Sequence, residues 1–253
     1  MPYRSLLAAL LLLSGLSAHA DGLADLKAAL QKYSTAAPPP LKAQVTLKVQ
    51  ARRGEGSEAT LDQGTASLQV EDDAQGLRLQ FGADLLARLR AEDAAREQDA
   101  KAPTPTSLAL QSLGTRDVRA LTAAADTLGR LLARATFKQE RATSLNGQAA
   151  RLLSFDLGPG KLREQDAKYV KNSEGSLQVW IAADGTPLEA RAQLKLSGRA
   201  FLVVSFETSS SDHLVFARQG ERLIAVARER LDSGAGAGEK SESQLDYTLQ
   251  PQR

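Results

Sequence analysis

The chain has 253 residues, with 32 lysines and arginines against 30 aspartates and glutamates, so the net charge is only +2 and no basic face points to nucleic acid. It contains no cysteine, which excludes a disulfide scaffold, a thiolate nucleophile and a cysteine metal centre. Aromatic residues make up 4% of it, so alanine, leucine and valine must fill the interior, a composition suited to an ordinary core or to a pocket for aliphatic chains.

Residues 1–20 have the parts of a secretory signal: Arg4, an apolar run from Leu6 to Leu13, and the small-residue site Ala18-His19-Ala20. The run is far shorter than the roughly 20 residues a spanning helix needs, so the expectation is cleavage before Asp21. The mature chain, residues 21–253, would then be a single periplasmic domain without a transmembrane segment, and without a cysteine to carry a lipid anchor.

Leu23, Leu26, Leu30 and Tyr33 recur at helical spacing, which predicts an amphipathic helix over residues 22–34, ended by the stiff Pro38-Pro39-Pro40. The period then changes to two. Val45, Leu47, Val49 and Ala51 alternate with polar residues, followed by Ala66, Leu68 and Val70 and by Leu77, Leu79 and Phe81, with turns at 53–57 and 72–76. A three-stranded meander is expected.

From residue 84 to 135 the pattern is helical, with Leu85, Leu86 and Leu89 in one segment and Val118, Leu121, Ala125, Leu128, Leu131 and Leu132 in another, capped by Thr115 or Asp117. The charged stretch 92–101 and the proline-containing 102–106 read as a mobile loop between them. Strands resume at Thr136, with a hairpin at Asn146-Gly147 and alternation through Leu153, Phe155 and Leu157. Residues 161–175 read as a polar excursion.

Leu177, Val179 and Ile181, the turn Ala183-Asp184-Gly185-Thr186, and then Leu188, Ala190, Ala192, Leu194 and Leu196 form the clearest hairpin. Further strands are expected at 201–207, 214–218, 223–231 and 243–249, with breaks at 208–212, 219–220 and 234–238. The fold class is therefore α+β, mainly β. About ten strands joined by short connections predict a strongly curved antiparallel sheet or open half-barrel, covered by the N-terminal helix and the mid-chain helices.

This order of elements resembles the lipoprotein-carrier superfamily, the LolA/LolB-like periplasmic half-barrels, in its signal peptide, first helix, curved sheet and mid-chain helical insertion. The local text that carries the likeness is the helix from Leu26 to Tyr33 and the strand-turn-strand Val179-Trp180-Ile181-Ala182-Ala183-Asp184-Gly185-Thr186-Pro187-Leu188. The resemblance implies a cavity for acyl chains.

Catalytic chemistry has little material. His213 is the one histidine after the signal, and although Ser211 and Asp212 adjoin it, neighbours in a strand point to opposite faces and a turn histidine is solvated. Asp72-Asp73 and Glu92-Asp93 lack calcium-loop spacing, and Gly234 to Gly238 lacks the residues of a phosphate loop, reading instead as a hairpin tip. The expectation is a binding or carrier protein rather than an enzyme, with no cofactor and no metal.

The candidate site is an apolar cleft. Val45, Leu47, Val49, Leu177, Val179, Ile181, Leu194 and Leu196 would line its floor, and Leu121, Leu128 and Leu131 its roof, with a lipid, acyl chain or lipoprotein as the ligand. The alternative is a periplasmic interaction or regulatory domain whose cleft is filled by its own side chains and whose partner is an envelope protein.

Overall fold

The computed structural model describes residues 21–34, 39–160, 167–200 and 204–252. The expected signal segment lies outside these residues, as do Pro38, the stretch 161–166 and the start of the strand expected at 201–207.

Helix α1 (Gly22–Tyr33) begins where the Asp21 carboxylate accepts from the backbone N–H groups of Leu23 and Ala24. Strands β1 (Leu41–Arg53), β2 (Thr60–Asp73) and β3 (Gly76–Gln80) form the expected meander. Helices α2 (Ala83–Gln98), α3 (Pro105–Ser112), α4 (Thr115–Thr122) and α5 (Ala124–Leu132) follow. The chain ends in strands β4 (Ala135–Leu145), β5 (Gln148–Leu157), β6 (Val170–Ile181), β7 (Pro187–Ala200), β8 (Val204–Gln219), β9 (Arg222–Gly236) and β10 (Glu239–Pro251).

Among the described residues the strands make one open antiparallel sheet in the order β3-β2-β1-β10-β9-β8-β7-β6-β5-β4. All neighbours are consecutive in sequence except β1 and β10, which pair from Ala43 with Pro251 to Arg53 with Ser241. Strands β3 and β4, joined by the helical insertion, are therefore the two edges. The insertion has to carry the chain from one edge to the other, and it does so across one face: α3 packs on β1 and β2, α4 on β9, and α5 on β9 and β4. Gly64 on β2 is required for this route, because a β-carbon there would overlap the Pro105 carbonyl of α3. Helix α1 packs on α5 and β5, where Arg151 donates to Asp25 at 2.7 Å and Glu140 accepts from the Gly22 N–H at 2.9 Å.

Several boundaries differ from the sequence reading. Residues 92–98, expected in a mobile loop, are the second half of α2, and Pro105 starts a helix rather than breaking one, since its missing N–H is unused at a first helical position. The Glu92 carboxylate accepts from the N–H groups of Thr106 (2.7 Å) and Ser107 (2.9 Å), supplying the cap that α3 lacks. The expected second helix is two helices, divided at Ala123 (φ −124°, ψ 59°).

The break expected at 208–212 is the middle of β8, whose serines pair with β7 on one side and β9 on the other. Residues 170–175, expected in a polar excursion, open β6. The turn at 234–238 shrinks to Ala237 and Gly238, both with positive φ.

Candidate functional site

The register of the sheet sets its inner face out as rows of side chains running across the strands. One row holds Ala66, Leu47, Tyr247, Arg228, Leu214, Ala190, Val179 and Leu153. The next holds Gly64, Val49, Leu245, Arg230, Asp212, Ala192 and Leu177. Beyond it come Asp62, Ala51, Ser243, Asp232, Ser210 and Leu194, and then Thr60, Arg53, Ser241, Gly234, Thr208 and Leu196. The face passes within four rows from a mostly apolar floor to one of small and charged residues carrying two leucines.

The helices pack on the first part of this face. Val45, Leu47, Val49, Leu121, Leu128, Leu177, Val179 and Ile181 are all buried there in one continuous core, with Leu131 half-buried against it. Leu194 and Leu196 do not join that core. They lie further along β7, where they help to line an open hollow of about 610 Å³ with Ala51, Arg53, Ser210 and Arg230. The sequence-predicted residues thus divide between a closed core and an open trough on the same face of the sheet.

A charged cluster marks the boundary. Arg228, 8% exposed, makes a two-point contact with Asp212 (2.7 and 2.8 Å), donates to Asp117 on α4 at 2.7 Å, and lies over the Tyr247 ring. Burial disfavours the charge of Arg228, but the two carboxylates outweigh it and raise its pKa above the ordinary guanidinium value. Burial also pushes the Tyr247 hydroxyl well above its usual range. Arg230, one step further out, pairs with Asp232 at 2.7 Å.

Asp117 was predicted only as a cap for its helix. Its second oxygen does accept from the Gly114 N–H at 3.0 Å, while the first binds Arg228, so one side chain both caps α4 and ties it to the sheet.

Arg228 was not among the predicted site residues, because β9 changes phase. The pairing with β8 shifts between Val215 and Phe216, leaving Val226 as an extra residue, a β-bulge. Leu223 and Ala225 face inward before it and Arg228 and Arg230 after it, so Leu231 faces outward and is 42% exposed. An arginine in the apparent polar phase of an apolar strand gave no signal of its inward position.

His213 lies in the middle of β8, not in a turn. Its Nε2 is 3.0 Å from the Glu189 carboxylate on the outer face, beside Arg191, which stacks over Trp180. Asp212 points the other way, to Arg228, so no relay forms among Ser211, Asp212 and His213. Among the described residues no helix is long and apolar enough to cross a membrane.

No family model, no curated protein and no solved structure matches this chain.

Proposed function

We propose that this chain is an exported periplasmic carrier or binding protein that holds a lipid or other acyl chain against the inner face of its sheet, and that it acts by binding rather than catalysis. The reading takes the sheet as a half-barrel of the lipoprotein-carrier kind, with α1 completing the helical roof over a single domain of residues 21–253. The observation that carries it is the continuity of the inner face, which runs from a core roofed by helices to an open hollow of about 610 Å³ with Leu194 and Leu196 half-buried along it.

An aliphatic chain would enter over Leu194 and Leu196 and extend under α4 and α5 as they lift. The motion turns on residues 99–104 between α2 and α3 and on the Asp117–Arg228 pair, which ties α4 to β9. At about 25 cal/mol per Å² of apolar surface removed from water, the buried chain offsets the cost of parting that pair.

Purification of the mature chain from its native host, organic-solvent extraction and mass spectrometry test the reading. A stoichiometric aliphatic species in the extract is expected, and an extract free of any such species from a folded protein contradicts it.

The competing reading, an envelope interaction domain without a ligand, is favoured by the close burial of Val45, Leu47, Val49, Leu121 and Leu128 in one core. It predicts a protein partner captured by cross-linking in the envelope and no lipid in the extract.

A further inference from the structure

We infer that the open hollow selects an anionic amphiphile, a single alkyl chain with a carboxylate or phosphate head, and that Arg53 is the seat of the head. The inference rests on the carrier reading and goes further by assigning the charge of the ligand. The hollow is lined by Arg53, Arg230, Leu194, Leu196 and the serines 210 and 241, among others. Arg230 is neutralised by the two-point pairing with Asp232. Among the described residues, neither Arg53 nor Arg52, which also lines the hollow, makes a side-chain hydrogen bond or ion pair.

The lining therefore carries three arginines, Arg52, Arg53 and Arg230, against Asp232 and Glu242, and Arg53 stands on the inner floor at the end of β1 farthest from the helices. In the register, Arg53 and Leu196 belong to one row, separated by β10, β9 and β8, with only Ser241, Gly234 and Thr208 between them. Four strand spacings at about 4.8 Å put roughly 19 Å between the guanidinium strand and the leucine strand. The residues between are too small to obstruct a chain lying across the floor, and Ser241 is the direct cross-strand neighbour of Arg53. A guanidinium presents its donors in a planar fork that fits carboxylate and phosphate oxygens, so an anionic head is favoured over a neutral or cationic one.

Isothermal titration of the mature chain with decanoate, decanol and acetate tests this. Decanoate is expected to bind about tenfold more tightly than decanol at low salt, with acetate giving no measurable heat, and the preference should shrink at 1 M salt because Arg53 is exposed. R53Q should bring decanoate down to the affinity of decanol and leave decanol unchanged, whereas K48Q, on the outer phase of the same strand and outside the hollow, should leave the preference intact. L196D should remove binding of both, and L196S covers the event that the charged variant fails to fold. Equal affinities of the wild type for decanoate and decanol, or a preference that survives R53Q, would overturn the inference while leaving the carrier reading in place. Failure of both alkyl probes to bind the folded wild type would remove the carrier reading, and this inference with it.

Discussion

Arg228 on β9 and Asp117 on α4 meet at 2.7 Å beneath the helical layer, 111 residues apart in the chain, and Arg230 of β9 lies 3.9 Å from the same carboxylate. Removing one member of such a pair leaves the other poorly compensated in a buried place. Asp117→Asn keeps a hydrogen-bonding group at the helix start and leaves Arg228 with Asp212. It should cost about 1–3 kcal/mol in urea denaturation. Hydrogen exchange should quicken in α4 more than in β9, and an unchanged midpoint with unchanged exchange in α4 would remove the latch from the account.

The Glu92 carboxylate caps α3 from α2, and the hydrogen bonds from Thr106 and Ser107 outweigh burial to hold its pKa below 4.5, the ordinary glutamate value. A folded-state pKa lower than the unfolded one contributes stability that is present above the unfolded value and is lost as pH falls through the folded value. Glu92→Gln should therefore destabilise the protein at pH 7 by about 1 kcal/mol, the usual cost of a lost cap. The difference between the two proteins should shrink as pH drops below about 4.5. Denaturation midpoints at pH 7 and pH 3 check both the sign and the window.

Gly64 seats α3 on β2, so Gly64→Ala must push the Pro105 carbonyl away. A destabilisation of about 1–3 kcal/mol is expected, as for other overpacked sites. Gly147, in the β4–β5 turn with open space where a β-carbon would stand, provides the contrast: its φ of 79° strains an alanine there, but no helix has to move. Exchange in α3 separates the two variants.

The division of the inner face predicts unequal costs for the same substitution along one hairpin. Leu177→Ala, in the roofed core, should cost about 2–5 kcal/mol. Leu194→Ala and Leu196→Ala, half-buried and outside that core, should each cost less than about 1 kcal/mol. Thermal or urea denaturation of the three variants measures this, and equal losses at all three positions would show that the hollow is part of the core.

Much of the sheet is legible in the sequence because its strands keep strict alternation: Val45, Leu47 and Val49 against Thr46 and Lys48, and Leu177, Val179 and Ile181 against Gln178 and Trp180. The turns are legible for the same local reasons, since Asn146 and Gly147 both adopt positive φ, as does Gly185. What alternation does not carry is phase after a bulge, so the inward arginines of β9 stayed hidden behind Val226. Nor does it register a strand built of small hydroxyl residues, and Ser209, Ser210 and Ser211 therefore read as a break although both neighbours hold them in the ladder. Where the helices come to rest is a tertiary matter. The sequence supplied Leu121, Leu128 and Leu131 as a roof but contained nothing to say that Leu194 and Leu196 would lie outside it.

Hydrogen-exchange mass spectrometry of the mature chain with and without decanoate addresses the central claim most directly, because it reports where on the sheet an aliphatic ligand lies. The account predicts added protection confined to the strand ends around residues 194–196, 208–210, 230–234 and 241–243, together with a change in α4. Protection that is absent, or that spreads evenly over both edges of the sheet without favouring these segments, would contradict it.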